Sequence, residues 1–197
     1  MLLNPPARSI SMSDTIDKAP AAAPLSLTST SPEFFKVRDE KFVPATVTVP
    51  GSSNLELVLL DVTATGTVKA AVPGMLTLTL FGMSKAISGE NLDDLLPLAS
   101  SVAEPIGGVG DLPETMWMIQ GHDLLIWAGS GKLQGTFKSN VASNPQPAVD
   151  LDQHPGNITE VDPLYIFAVA AQFTPDADPG DGSELCSLTL HGFTVGG

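Results

Sequence analysis

Leu76-Thr77-Leu78-Thr79-Leu80 constrains the fold more than any other stretch. Strict alternation of apolar and polar residues gives a strand one face of each kind and cannot form the stripe of a helix. The leucines are expected to point inward and the threonines outward. Phe42 to Val49 alternates in the same way, with Val43, Ala45, Val47 and Val49 on one side, before Pro50-Gly51-Ser52-Ser53-Asn54 turns the chain. Leu55 to Val62 and Thr63 to Val72 continue the strand pattern. Gly66 marks a bulge or bend, and Pro73-Gly74 a turn.

Farther along, Met116 to Gln120 and Asp123 to Ala128 read as two strands with Gly121-His122 turning between them, and Gly131 to Lys138 as a third. The apolar runs Leu164 to Phe173 and Leu185 to Val195 flank Thr174 to Glu184, a segment rich in Pro, Gly and Asp. They read as an antiparallel strand pair joined by a long rim loop. One short helix is expected at Glu90 to Leu96, with Leu92, Leu95 and Leu96 at i, i+3 and i+4, Ser88 as N-cap and Pro97 as its stop. About eight strands with almost no helix define an all-β chain, an antiparallel β-sandwich or barrel.

Residues 1–33, Pro/Ala/Ser/Thr-rich and without periodicity, read as an extended N-terminal arm, and residues 34–197 as the β-sandwich domain. A chain of 197 residues buries roughly 70% of the surface its unfolded form exposes, so it needs no disulfide or metal to hold its core. The net charge of −13 is uneven: residues 1–86 hold seven bases and seven acids, whereas the rest hold only Lys132 and Lys138 against fifteen acids. Phosphate backbones and anionic membranes are bound by clustered Lys and Arg, so the C-terminal half is expected to bind neither directly. With no charged leader ahead of an apolar stretch and no membrane-length apolar run, the chain reads as soluble and not secreted by a signal peptide.

Few motifs in the chain have the spacing that site chemistry requires. Ala128-Gly129-Ser130-Gly131-Lys132 lacks the upstream Gly and the following Ser/Thr of a phosphate loop, and Gly107-Gly108-Val109-Gly110 has Pro113 at the third glycine's place of a dinucleotide fingerprint. The carboxylates Asp176, Asp178, Asp181 and Glu184 are the Ca2+ candidates, against the alternative of a solvated turn. Asp150, Asp152, His154, Glu160 and Asp162 form a second acidic loop, and neither has zinc spacing. Cys186 reads as a buried residue; His191, five positions on, falls on the opposite face. His122 and His154 accompany no recognisable nucleophile, and Trp117, Trp127 and Tyr165 read as packing residues. The expectation from these residues is a protein without catalytic activity and without a cofactor.

A Pro/Ser/Ala-rich arm followed by about eight strands, with Phe42–Val49, Leu76–Leu80, Leu164–Phe173 and Leu185–Val195 as its strongest points, resembles the single jelly-roll coat proteins of small icosahedral RNA viruses. The resemblance lies in layout. It implies a jelly-roll sandwich acting as a capsid or capsid-associated subunit. Such a subunit self-assembles through sandwich and arm, has copies of itself or other capsid subunits as partners, and resides in virions assembled in a host cytoplasm. The chain departs from that pattern in its arm, which carries only Arg8 and Lys18 where many such proteins carry an RNA-neutralising basic cluster. The alternative is a ligand-binding β-sandwich, lectin-like or Ca2+-dependent, using loops 139–161 and 174–184. A cupin-type enzyme would need clustered histidines that the sequence does not show.

Overall fold

The computed structural model describes residues 7–9, 25–35, 45–48, 57–83, 95–107, 114–127, 132–141, 144–153, 164–180 and 182–196. Its strands are β1 (Ala7–Ser9), β2 (Leu25–Leu27), β3 (Glu33–Phe34), β4 (Ala45–Thr48), β5 (Leu57–Ala70), β6 (Gly74–Met83), β7 (Leu96–Ser100), β8 (Glu104–Ile106), β9 (Thr115–Trp127), β10 (Leu133–Val141), β11 (Asn144–Pro145), β12 (Val149–Gln153), β13 (Leu164–Pro175) and β14 (Cys186–Gly196). No helix occurs among the described residues. Of the expected helix, residues 90–94 lie outside the described set. Leu96 and Pro97 belong instead to β7, an edge strand, where a proline without an N–H is tolerated.

Two sheets form the sandwich. The eight-stranded sheet runs β11-β10-β9-β5-β14-β2, with β12 also on β10 and β1 also on β5; the six-stranded sheet runs β3-β13-β6-β7, with β4 on β13 and β8 on β6. Within them lie two four-strand series, β2-β14-β5-β9 and β3-β13-β6-β7. The chain passes from one sheet to the other at β2 to β3, β4 to β5, β5 to β6, β8 to β9, β12 to β13 and β13 to β14. That order is a jelly roll, with β10 and β12 added as an extension beside β9.

The expected closing hairpin is therefore corrected. β13 pairs with β3, β4 and β6, whereas β14 pairs with β2 and β5, so the segment between them crosses the sandwich instead of turning back on its own sheet. Tight hairpins use two to five residues; this longer connection has the reach to change layers. It is tied to the neighbouring crossing: the Leu185 carbonyl accepts from the Ala71 amide (2.9 Å) and the Val72 amide (3.3 Å), and the Asp176 amide donates to the Pro73 carbonyl (2.9 Å).

The alternation at Leu76–Leu80 does what its pattern demands, with the three leucines at most 1% exposed and Thr77 and Thr79 half-buried on the outside. Facing them from the other sheet are Leu60, Val62, Ala64, Trp117, Ile119, Cys186, Leu188 and Phe193, all in one apolar cluster. Burying each large apolar side chain stabilises the fold by about 1.5–3 kcal/mol. Gly66 is glycine because the Trp117 ring lies across it: a Cβ there would overlap the ring and the Thr189 carbonyl. Leu25 and Leu27, within the stretch read as an arm, are core residues, 7% and 0% exposed, and β2 pairs with β14. β1 lies parallel to Leu57–Leu59, beside the part of β5 that β14 leaves free where it ends opposite Asp61.

Candidate functional site

Two polar regions stand out, one on a crossing loop and one on the outer face of the eight-stranded sheet. The first is the β13–β14 connection, which with Thr28, Ser29 and Thr30 walls a cavity of about 370 Å3; Thr174, Pro175, Asp178, Pro179, Gly180, Gly182 and Leu185 line the other side. Gly180 (φ 89°) and Gly182 (φ 75°) take the left-handed backbone that glycine allows without a Cβ clash. Of the Ca2+ candidates, Asp181 lies outside the described residues. Asp178 Oδ1 accepts from the Gly180 amide (2.9 Å) and Glu184 Oε1 from the Ser26 hydroxyl (3.0 Å), so both carboxylates have bonds within this end of the fold. Asp150 and Asp152 are exposed on β12, with Asp152 3.4 Å from Lys132; His154, Glu160 and Asp162 lie outside the described residues. The loop after β10 contributes elsewhere. Asn144 Nδ2 (3.0 Å) and Gln146 Nε2 donate to the buried Glu104 carboxylate, joining the eight-stranded sheet to β8 of the other.

The second region arises from a register defect. The segment expected to be two strands around a Gly121-His122 turn is one strand, β9, with a bulge in it. Leu60 pairs with Leu124 but Val62 with Gly121, so Asp61 faces two residues, His122 and Asp123. On the other flank, Gln134 pairs with Leu125 and Thr136 with His122. The extra residue is accommodated by Asp123 at φ 51°, a conformation aspartate tolerates better than most side chains. Inward positions accordingly run Trp117, Ile119, Gly121, then Leu124 and Ile126, and both His122 and Asp123 are left exposed.

Among the described residues, Asp61, His122 and Asp123 are the one group whose ligand atoms lie within 4.8 Å of one another. Asp61 Oδ1 sits 2.8 Å from His122 Nδ1 and accepts the Asp123 amide at 2.8 Å. His122 Nε2 stands 3.5 Å from Asp123 Oδ2. The sequence alone does not show this cluster, because Asp61 is some sixty positions away and Gly121-His122 reads as a turn. The usable signal was the slip in apolar phase between Gly121 and Leu124.

A second bulge, in β14, presents the other described histidine. Leu190 pairs with Gly66 and Gly192 with Thr65, which leaves His191 as the extra residue, exposed on the outer face. Its Nε2 is 3.1 Å from Thr67 Oγ1, and Thr67 donates to Glu114. Gly66 thus does mark a bulge, carried by the partner strand. Cys186 is fully buried, and burial, with smaller contributions from the Glu184 and Glu33 carboxylates, pushes its thiol up from 9.0 to about 12. A thiol so hard to ionise is a poor nucleophile.

No family model matches the chain, and no curated protein does. Among solved structures it is similar to the crystal structure of the marine PL-14 alginate lyase from Aplysia kurodai, at 9% identity and a TM-score of 0.35, over 94% of this chain and 88% of that one. That protein is an enzyme, and the expectation that this chain is without catalytic activity is not carried forward against it. A likeness of this degree assigns no reaction, and the non-enzymatic reading is withdrawn. No helix among the described residues is long and apolar enough to cross a membrane.

Proposed function

We propose that the chain is a self-assembling jelly-roll subunit of a virion shell, with copies of itself or other capsid subunits as partners. The observation that carries this reading is the strand order, β2-β14-β5-β9 facing β3-β13-β6-β7. Capsid subunits, lectins and cupins share that architecture, so the order alone does not select among them. What favours a shell subunit is exposed apolar surface on edge strands: Leu96 of β7 and Val149 of β12 are 47% and 48% exposed, and among the described residues each of these strands is paired on one side only. Open edges and exposed apolar side chains favour association with another chain.

Electron microscopy and light scattering of the purified protein test the reading. Large symmetric particles are expected, and Leu96→Lys with Val149→Lys should reduce them to small species that keep their β-sheet circular dichroism. A deletion testing the arm should stop at residue 24, because Leu25 and Leu27 belong to the core. A protein that stays monomeric at every concentration and salt would overturn the proposal.

A second reading rests on the cavity of about 370 Å3 between Thr28–Thr30 and the β13–β14 connection, a volume suited to a small ligand. In that reading the site is the 174–184 loop paired with the β2–β3 turn, since Asn144 and Gln146 of the 139–161 loop are engaged with Glu104. Calorimetry with Ca2+ and with a glycan panel checks it; absence of heat in both removes it.

A further inference from the structure

The β9 bulge has an arrangement that neither assembly nor the loop cavity uses. We propose that His122 Nε2 and Asp123 Oδ2 together hold a divalent transition-metal ion, with Asp61 orienting the imidazole. Asp61 Oδ1 lies 2.8 Å from Nδ1, and in the tautomer that gives this carboxylate the Nδ1 proton, Nε2 carries the lone pair a metal needs. A histidine that ligates through one nitrogen while giving the other N–H to a carboxylate is the usual supporting arrangement of a bound metal.

The distance from Nε2 to Asp123 Oδ2 decides between two uses of the pair. At 3.5 Å it is longer than the 2.7–3.2 Å or so of an N–H···O hydrogen bond, so the two atoms face each other without being hydrogen-bonded. An ion about 2.0–2.2 Å from each atom, at a near-tetrahedral angle, requires them about 3.3–3.5 Å apart. The observed gap meets that requirement without movement.

The backbone holds it so. The same Asp61 oxygen accepts the Asp123 amide at 2.8 Å, and the bulge fixes Asp123 at φ 51° between two paired strands. One carboxylate from β5 therefore clamps both ligand-bearing residues of β9. The donor set, one imidazole and one carboxylate, suits Zn2+, Co2+ or Ni2+ better than Ca2+, which takes oxygens. Side-chain exposures of 46% for His122 and 72% for Asp123 leave the remaining coordination positions open to water.

Titration of the full chain with Zn2+ by calorimetry, and with Co2+ by its visible absorption, tests the assignment. One site per chain is expected, absent in His122→Ala. Asp123→Gly removes the carboxylate while accepting the positive φ, and should weaken binding at least tenfold. Asp61→Asn should weaken it 10–100-fold, the range seen when a partner behind the ligand is lost. His191→Ala should leave the isotherm unchanged, and circular dichroism should show all four variants folded. Zn2+ binding that survives in His122→Ala, or no binding to the wild-type chain at millimolar Zn2+, overturns the proposal and leaves the trio a surface ion pair. Unchanged affinity in Asp61→Asn overturns the orienting role assigned to that residue.

Discussion

The β13–β14 connection and the β9 bulge both gather polar and acidic residues, yet they are built in opposite ways. In the connection the carboxylates are close in sequence, and those of Asp178 and Glu184 are bonded to the Gly180 amide and the Ser26 hydroxyl. In the bulge, three groups from two paired strands converge because one extra residue re-aims two side chains to the same face. Closeness along the chain left these two carboxylates bonded separately, one within the turn and one to β2. Convergence across strands left ligand atoms facing one another and open to solvent.

Measurements that probe this contrast begin where the connection touches the core. Cys186 sits two residues after Glu184, and its thiol ionises near 9.0 in the unfolded chain but near 12 when folded. Between those values the unfolded chain holds fewer protons, so stability falls as pH rises, approaching about 1.4 kcal/mol per pH unit for this one group. Urea unfolding from pH 8 to 11 should show that slope in the wild type and lose it in Cys186→Ala. Equal slopes would mean the crossing leaves the thiol solvated.

Gly135→Ala tests whether the bulge is as tightly built as its register implies. A Cβ there would lie 2.7 Å from Leu124 Cδ2 and 3.0 Å from the carbonyl oxygens of both His122 and Asp123. Backbone on two sides cannot give way as a side chain can, and a loss of about 2 kcal/mol in urea unfolding is expected. By contrast, Gly180→Ala meets nothing within 4 Å and suffers only from its φ of 89°, so about 1 kcal/mol is expected. A larger cost at Gly180 than at Gly135 would invert the comparison. Smallest of all, Ser26→Ala removes an exposed hydroxyl-to-carboxylate bond and should change stability by less than about 0.5 kcal/mol.

The strands were legible where alternation was strict, as at Leu76–Leu80, because burial on one face leaves only one acceptable register. Which strands share a sheet was not, since β13 and β14 look like a hairpin until their partners, β6 and β5, are known. The β9 bulge was misread for a related reason: Gly121-His122 satisfies the local rules for a turn, and only pairing on both flanks keeps the strand continuous. Cys186 was correctly read as a buried residue from its apolar neighbours alone. The Asp61–His122 contact depends on the β5–β9 register and has no local signature.

The pairing of β2 with β14 also sets a clock on biosynthesis. Leu25 and Leu27 leave the ribosome about 160 residues ahead of Cys186 to Leu188, against which their strand is bonded. At 5–20 residues per second that interval is roughly 8–30 s. Through it two core leucines lack the partner strand they occupy in the finished sheet. β2 is thus a segment of the nascent chain whose neighbour in the sheet is made much later, and its edge toward β14 stays open until that strand is available.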